Sequence, residues 1–413
     1  MVKWNKDKEK CPFPPREGQA TAVIGSKLYV FGGVVFLKNE NGGGEDLESN
    51  DLLVYDVLTR KWFKEPCYGT WPSPRSGATM TSVGKSLYLF GGLSQFSGWM
   101  NDFYRYDTEC KTWKCIDASG APSPRDKVMC ASVGEKIYIH GGFGPAQYLN
   151  VDPDDVLPID DDDGEYEDMD ELHEVRNCQE AANFTWSDEL HVFCTSMGKW
   201  SHIKPKGPKI PSARAAHSLT AVSSKAGNWL YVFGGRDIDS RQNDLWRFNI
   251  KDCVWDQCQG LGCQPQPRSF HAAVAVKGRL VVHGGRAVNN QHFDDFNIFD
   301  IDTKEWLQPE MVVGGPAMEE SIETPCAMGL HTLCAVDNYL ILFGGSSELD
   351  PATGTCTKYN NDIFRININD ILEGGAIAEN DSSENDAKQT NVSHMPGILN
   401  LKAKVKSSDQ NSE

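Results

Sequence analysis

One short pattern constrains this chain more than anything else in it: an apolar run closed by two glycines, repeated six times. It reads LYVFGG up to Gly33, LYLFGG to Gly92, IYIHGG to Gly142, LYVFGG to Gly235, LVVHGG to Gly285 and LILFGG to Gly345, at steps of 59, 50, 93, 50 and 60 residues. Each run is too short for a helix of ordinary length, is rich in β-branched and aromatic residues, and ends on glycine, so it reads as a strand. A strand-based unit recurring about every 50 residues cannot bury its own apolar face. It must stack against its neighbours, one four-stranded sheet per repeat.

The flanks of the repeat carry the rest of a signature. Before the strand comes a turn ending in arginine: Pro74-Arg75, Pro124-Arg125, Ala213-Arg214 and Pro267-Arg268. After the diglycine comes an aromatic residue and then a tryptophan: Tyr55 with Trp62, Tyr106 with Trp113, Phe193 with Trp200, Phe248 with Trp255 and Phe299 with Trp306. Glycine lets the backbone turn where no Cβ fits, and the aromatics fill the wedge between neighbouring sheets. The fold expected is an all-β, six-bladed propeller over residues 1–370.

The sixth unit has Phe364 but no tryptophan after it, whereas Trp4 precedes Pro14-Pro15-Arg16 with no diglycine before it. The spacing from Trp4 to Arg16 matches that from Trp113 to Arg125. The N-terminal strand is therefore expected to supply the outer strand of the sixth blade and close the ring, which removes two sheet edges at once.

Two segments depart from the repeat. Residues 151–183, containing IDDDDGEYEDMDELHE, hold too many like charges and too few aliphatics for a core, and are expected to form a disordered or loosely packed acidic insert. Its acids run consecutively rather than at calcium-loop spacing. Residues 371–413 are polar, without periodicity, and read as a disordered tail.

The net charge of −18 argues against nucleic acid and anionic membranes as general partners. Thirteen cysteines without CxxC pairs fit free thiols in a reducing compartment. No apolar stretch approaches the roughly 20 residues of a membrane span, and MVKWNKDKEK lacks the apolar core of a secretory signal. A cytoplasmic or nuclear protein is expected. Cys253, Cys258 and Cys263 lack the pairing of a zinc site. With no nucleophile–base pair, phosphate loop or metal motif, neither enzymatic activity nor a cofactor is expected. His217, His271 and His331 occupy equivalent early-strand positions, and a repeated position argues for a structural role.

In an up-and-down blade, the loops after each diglycine share a face with the links bearing the Pro-Arg turns, and the varied loops on that face are where binding chemistry belongs. There the fourth repeat carries Arg236 and Arg241 in RDIDSR, taken as an arginine-bearing loop that occurs only once. The fifth begins Arg268-Ser269-Phe270-His271, and the third adds Lys127, Phe143 and Trp186. Two guanidinium forks with a hydroxyl suit a carboxylate or phosphate, and the aromatics would wall the pocket from water. The competing reading is that Arg236 and Arg241 pair with Asp237, Asp239 and Asp244. The acidic insert shares this face, so its carboxylates either screen the cationic mouth or form a solvated loop.

The repeats resemble kelch-repeat propellers over nearly residues 1–370. Within that group, PSPRDK at 122–127, GGFG at 141–144, WSDELHVF at 186–193, PSARAAH at 211–217, FGGRDIDSRQNDL at 233–245 and RSFH at 268–271 resemble kelch substrate receptors of cullin–RING ubiquitin ligases, which read C-terminal diglycine degrons. The resemblance implies that Arg236, Arg241 and Ser269 hold a peptide carboxylate and that Lys127, Phe143, Trp186 and Phe270 form the pocket wall. Two positions depart from that family, which has tyrosine at 143 and tryptophan at 270. No apolar helical box of the kind that docks elongin and cullin subunits is recognisable after the propeller. The function implied is binding of a partner's C-terminal peptide, with a ubiquitin-ligase receptor role. The alternative is a kelch scaffold that binds its partner through another surface.

Overall fold

In the computed structural model, residues 2–38, 44–146, 184–309, 311, 323–350 and 355–373 are described. The acidic insert, and the tail from residue 374 onwards, lie outside them. Among the described residues the protein is all-β apart from one six-residue helix, Ile368–Glu373. Among the described residues no helix is long and apolar enough to cross a membrane. The described cysteines are all free.

Six antiparallel sheets follow one another along the chain, within residues 20–64, 79–115, 129–203, 218–258, 272–307 and 329–367; we number them sheets 1 to 6. Sheet 4 is representative: Ser218–Ser224, Gly227–Phe233, Leu245–Asn249 and Val254–Cys258 pair in that order. Each repeated apolar run is the second strand of its sheet. It is buried on both faces, so it is uniformly apolar rather than alternating. The aromatic and tryptophan of each repeat face each other across the outer two strands, as Tyr55↔Trp62, Tyr106↔Trp113, Phe193↔Trp200, Phe248↔Trp255 and Phe299↔Trp306. The helix continues the folded part past residue 370, with Ile371 in the core and its carbonyl accepting from Arg279 Nη1.

The tryptophans also join the sheets. Trp113 packs on Phe31 of sheet 1, Trp200 on Phe90 of sheet 2, Trp255 on His140 of sheet 3 and Trp306 on Phe233 of sheet 4. The N-terminal strand Asn5–Lys6 pairs with Ile363–Asn367 as an added strand of sheet 6. Beside it Trp4 packs on His283 of sheet 5, and Trp62 of sheet 1 packs on Phe343 of sheet 6. The series thus returns to its start. Each contact places an indole against the residue that precedes the diglycine in the neighbouring sheet.

The arginines of the Pro-Arg turns are core residues. Arg16, Arg75, Arg125, Arg214 and Arg268 are buried, and each donates from Nη1 to the carbonyl of the first glycine in its own repeat. Four of them also meet a carboxylate: Asp102, Glu189, Asp244 and Asp295. The carbonyls of Arg75, Arg125, Arg214 and Arg268 accept from the second glycine of the preceding repeat. In these four the guanidinium can be buried because its donors and its charge are both satisfied. The glycines cannot be replaced cheaply. Gly234 has φ 63°, and a Cβ there would lie 2.8 Å from the Arg268 carbonyl oxygen.

The repeated histidines fill the gaps beside these glycines. His140 Nδ1 and His217 Nε2 are 3.1 Å apart, His283 Nδ1 and His331 Nε2 are 3.0 Å apart, and His271 Nε2 lies 3.1 Å from Ser218 Oγ. Burial holds all five imidazoles below their usual pKa, to about 3 for His140, His271 and His283. They are neutral packing groups.

Candidate functional site

The residue after each Pro-Arg turn pairs through its backbone with the residue after the diglycine: Glu17 with Val34, Ser76 with Leu93, Asp126 with Phe143, Ala215 with Arg236 and Ser269 with Arg286. This brings the two kinds of loop onto one end of the sheets. One step further along lies a ring of backbone hydrogen bonds. Gly18 donates to Leu330, Leu330 to Phe270, Phe270 to Ala216, Ala216 to Lys127, Lys127 to Gly77, and Gly77 back to Gly18. All six residues have positive φ, a conformation that Lys127, Ala216, Phe270 and Leu330, unlike Gly18 and Gly77, adopt at a cost that their tertiary partners must offset. They line, with the first strands of all six sheets, a central cavity of about 490 Å³.

Arg236 and Arg241 face each other across a tight loop in sheet 4. Their backbones pair, Gln242 N donates to the Gly235 carbonyl, and Asp237 N donates to the Ser240 carbonyl. Asp237 is buried and organises that loop: Oδ1 accepts from the amides of Asp239 and Ser240 and from Gln242 Nε2, and Oδ2 accepts from Ser212 Oγ. Asp244 takes both ends of the Arg214 guanidinium and the Trp246 indole N–H. Two of the acids expected to compete for the site arginines thus have other structural duties. Burial, with the positive Arg241 nearby, pushes the Arg236 pKa down to about 10, although Asp237 acts in the opposite direction. A guanidinium so placed remains charged at neutral pH, and an anion beside it would relieve the repulsion.

Ser269 connects sheet 4 to sheet 5. It is fully buried, and its Oγ accepts from Arg241 Nε at 2.8 Å. The structure therefore assembles Arg236, Arg241 and Ser269 into one group.

The wall residues sit in a neighbouring aromatic cluster. Phe143 and Trp186 face each other across the two short strands Phe143–Pro145 and Phe184–Trp186, with ring centroids 5.0 Å apart. Phe184 and Trp99, which the sequence reading did not single out, complete the cluster, and Ala215 packs into it. Ala215 is also the backbone partner of Arg236, so the aromatic and cationic halves meet there. Lys127 Nζ lies 3.3 Å from Asp126 Oδ2 and 6.0 Å from the Phe143 ring centroid. The Trp186 indole N–H is buried with no hydrogen-bond partner among the described residues. Phe270 stands apart from this wall, its ring 5.3 Å from the Arg286 guanidinium.

Arg286 corrects one sequence expectation, since the loop with Arg236 is not unique. Sheet 5 repeats it: Arg286 follows Gly284-Gly285 directly and pairs through its backbone with His292, as Arg236 pairs with Arg241. The repeated GGR at 234–236 and 284–286 was legible. The return leg was not, because the loop is one residue longer and places histidine where arginine stands in sheet 4.

Residues 18–152 and 177–370 match the model of the KLHDC2/KLHL20/DRC7 Kelch-repeats domain. The chain belongs to the kelch-repeat family. It is 30% identical to Kelch domain-containing protein 2 of Bos taurus over 82% of this chain and 77% of that protein. It is 28% identical to Kelch domain-containing protein 1 of Mus musculus over 84% and 80%. An enzyme also stands among the relatives, the N-(sulfonatooxy)prop-2-enimidothioate sulfolyase of Thlaspi arvense, 27% identical over 70% of this chain and 93% of that protein. The solved structure of YjhT superposes with a TM-score of 0.57 at 16% identity, covering 86% of this chain and 95% of YjhT, and speaks to the fold alone. These kelch repeats form antiparallel sheets of the β-propeller type, in a protein-interaction module.

Proposed function

We propose that the six sheets are the blades of a closed six-bladed propeller, and that the protein is a non-enzymatic module binding the C-terminal carboxylate of a partner protein. The ring of six hydrogen bonds and the tryptophan series ending at Trp4 support the closure. The observation that carries the binding reading is the grouping of Arg236, Arg241 and Ser269 at the seam of two sheets, joined by the 2.8 Å bond from Arg241 Nε to Ser269 Oγ. That bond orients the Arg241 side chain before any ligand arrives, which lowers the entropic cost of binding. Arg236 and Arg241 hold the two carboxylate oxygens, Lys127 contributes positive potential, and Phe143 and Trp186 exclude water, while Phe270 covers Arg286 instead. The likeness of these motifs to kelch substrate receptors supports the further reading that the protein, in the cytoplasm or nucleus, delivers such partners to a cullin–RING ubiquitin ligase.

Fluorescence polarisation with labelled C-terminal peptides tests this. Each charge-assisted bond to a partly desolvated carboxylate is worth roughly 1.5–3 kcal/mol, so Arg236→Ala or Arg241→Ala should weaken binding at least about tenfold. Amidation of the peptide terminus should abolish binding. Variants that bind like the parent, or an amide that binds like the acid, would exclude the clamp. Co-purification of elongin and cullin subunits tests the ligase role separately.

A further inference from the structure

Sheet 3 differs from its neighbours in how it answers the buried arginine. Asp102, Asp244 and Asp295 each meet both terminal nitrogens of their arginine, Arg75, Arg214 or Arg268, with both oxygens. Glu189 meets Arg125 through Oε2 alone, 2.6 Å from Nη2, and Ser187 Oγ accepts from Nη1 at 2.9 Å instead. The same Oε2 lies 3.3 Å from His191 Nε2. His191 stands directly opposite His202 on the last two strands of the sheet, Leu190–Cys194 and Lys199–Ile203, and the two rings stack with centroids 4.8 Å apart. The corresponding pairs are Tyr104 with Cys115, Trp246 with Gln257 and Asn297 with Gln308. Of these four sheets, only sheet 3 sets two imidazoles beside the carboxylate.

That arrangement has the chemistry and the spacing of a metal site. One ligand atom from each of Glu189, His191 and His202 lies within 4.8 Å of the others. Two ligands about 2.1 Å from a tetrahedral ion stand about 3.4 Å apart, and the 3.3 Å between Glu189 Oε2 and His191 Nε2 already meets that spacing. His202 is exposed, so a change of rotamer brings its ring into the same range. His191 is buried, and its Nδ1 has no hydrogen-bond partner among the described residues. Nothing there holds the ring to the tautomer whose Nε2 carries the proton. An ion would take the place of that proton, which moves to Nδ1, while Arg125 keeps its own bond to Glu189. Imidazoles with a carboxylate suit zinc and its transition-metal neighbours, whereas magnesium and calcium prefer oxygen ligands throughout. No sequence motif announces the group, because strand register rather than local spacing unites the two histidines.

We propose that Glu189, His191 and His202 bind a zinc-class divalent cation, with water completing the coordination. The site is independent of the carboxylate-binding reading above. The ion clamps the last two strands of sheet 3 together and shares Glu189 with Arg125, which holds the first glycine carbonyl of that repeat. Asp126, next to Arg125, pairs with Phe143, so the ion secures the sheet that carries the aromatic cluster.

The test is isothermal titration calorimetry of the untagged, EDTA-treated full chain with zinc chloride, and with magnesium chloride as the control. The parent should take up zinc with micromolar or tighter affinity and show no uptake of magnesium. His191→Gln and His202→Gln should each weaken zinc binding at least about tenfold, the loss expected even for an outer-shell partner. Zinc at a hundred times its Kd should raise the melting temperature of the parent by about 4 °C, and that of either variant by half as much or less. His202 is exposed, so its variant decides the matter if His191→Gln does not fold. Cobalt used in place of zinc should show no thiolate charge-transfer band, since no cysteine takes part. Zinc affinity unchanged in both variants, or a thiolate band at the tight site, would put the ion elsewhere and overturn the assignment. Absence of saturable binding below millimolar zinc would overturn the site outright.

Discussion

Removal of a chain terminus is ordinarily harmless, because the first residues of most domains are frayed. Trp4→Ala should behave otherwise here. Trp4 is 3% exposed and makes edge-on contacts with His283 and Phe296 of sheet 5 and with Phe364 of sheet 6, at centroid distances of 5.7, 5.8 and 6.2 Å. A tryptophan buries about 200 Å², which at about 25 cal/mol/Å² is about 5 kcal/mol. Partial relaxation of the site brings the expected loss to about 3–5 kcal/mol, the usual range for a core tryptophan cut to alanine. A unit of this size gains roughly 0.7 kcal/mol per degree in unfolding entropy near its midpoint, so the melting temperature should fall by about 5 °C. Trp4→Phe keeps the ring contacts and should lose only about 1 kcal/mol. Deleting residues 1–10 also removes Asp7, which forms a 2.9 Å ion pair with Arg365 and bonds to the Tyr55 hydroxyl, and should cost more than Trp4→Ala. Differential scanning fluorimetry and urea unfolding both read this. A melting temperature within 1 °C of the parent for Trp4→Ala and for the deletion would refute closure by the N-terminal strand.

Other substitutions test the seams between repeats. Gly234→Ala forces a Cβ toward the Arg268 carbonyl at positive φ; it should cost at least about 2 kcal/mol in chemical unfolding, and an unchanged midpoint would deny the close approach. Asp244→Ala leaves the buried Arg214 guanidinium without its carboxylate and should destabilise by about 3 kcal/mol; a loss below about 0.5 kcal/mol, the size of an ordinary surface change, would class the pair as a surface one. Stability should also fall in mild acid. His140, His271 and His283 have folded pKa values near 3, below the usual value of 6.5. The unfolded chain therefore binds more protons, and the stability is present above about pH 6.5 and lost as pH falls toward 3. Each such histidine steepens the loss by about 1.4 kcal/mol per pH unit. Urea midpoints flat between pH 7 and 5 would show that the imidazoles are protonated in place.

The repeat was legible because its determinants are local and recur. In the second, fourth and fifth repeats the apolar strand, diglycine, aromatic and tryptophan lie within one 30-residue stretch, and register alone sets Phe248 opposite Trp255 or Tyr106 opposite Trp113. The missing sixth tryptophan could be found by counting, because Trp4 stands at the same distance from its arginine as Trp113 does. Arg286 was overlooked even though it follows its diglycine directly, since the loop was judged by its second arginine and sheet 5 has a histidine there. Phe184 and Trp99 carried no signal, as one borders the acidic insert and the other lies in a long hairpin of sheet 2.

By itself, then, the order of residues determined the unit, its number of repetitions and the residues that had to be buried. These follow from periodicity and from glycine's freedom at positive φ. The meeting of Arg241 with Ser269, 28 residues apart, and the approach of His292 to within electrostatic reach of Arg241 were decided only by the tertiary structure. Both depend on how one sheet is rotated against the next. That rotation is set by contacts between repeats, such as Trp113 on Phe31 and Trp306 on Phe233, and a residue's local motif does not say which side chain of the next repeat it will meet.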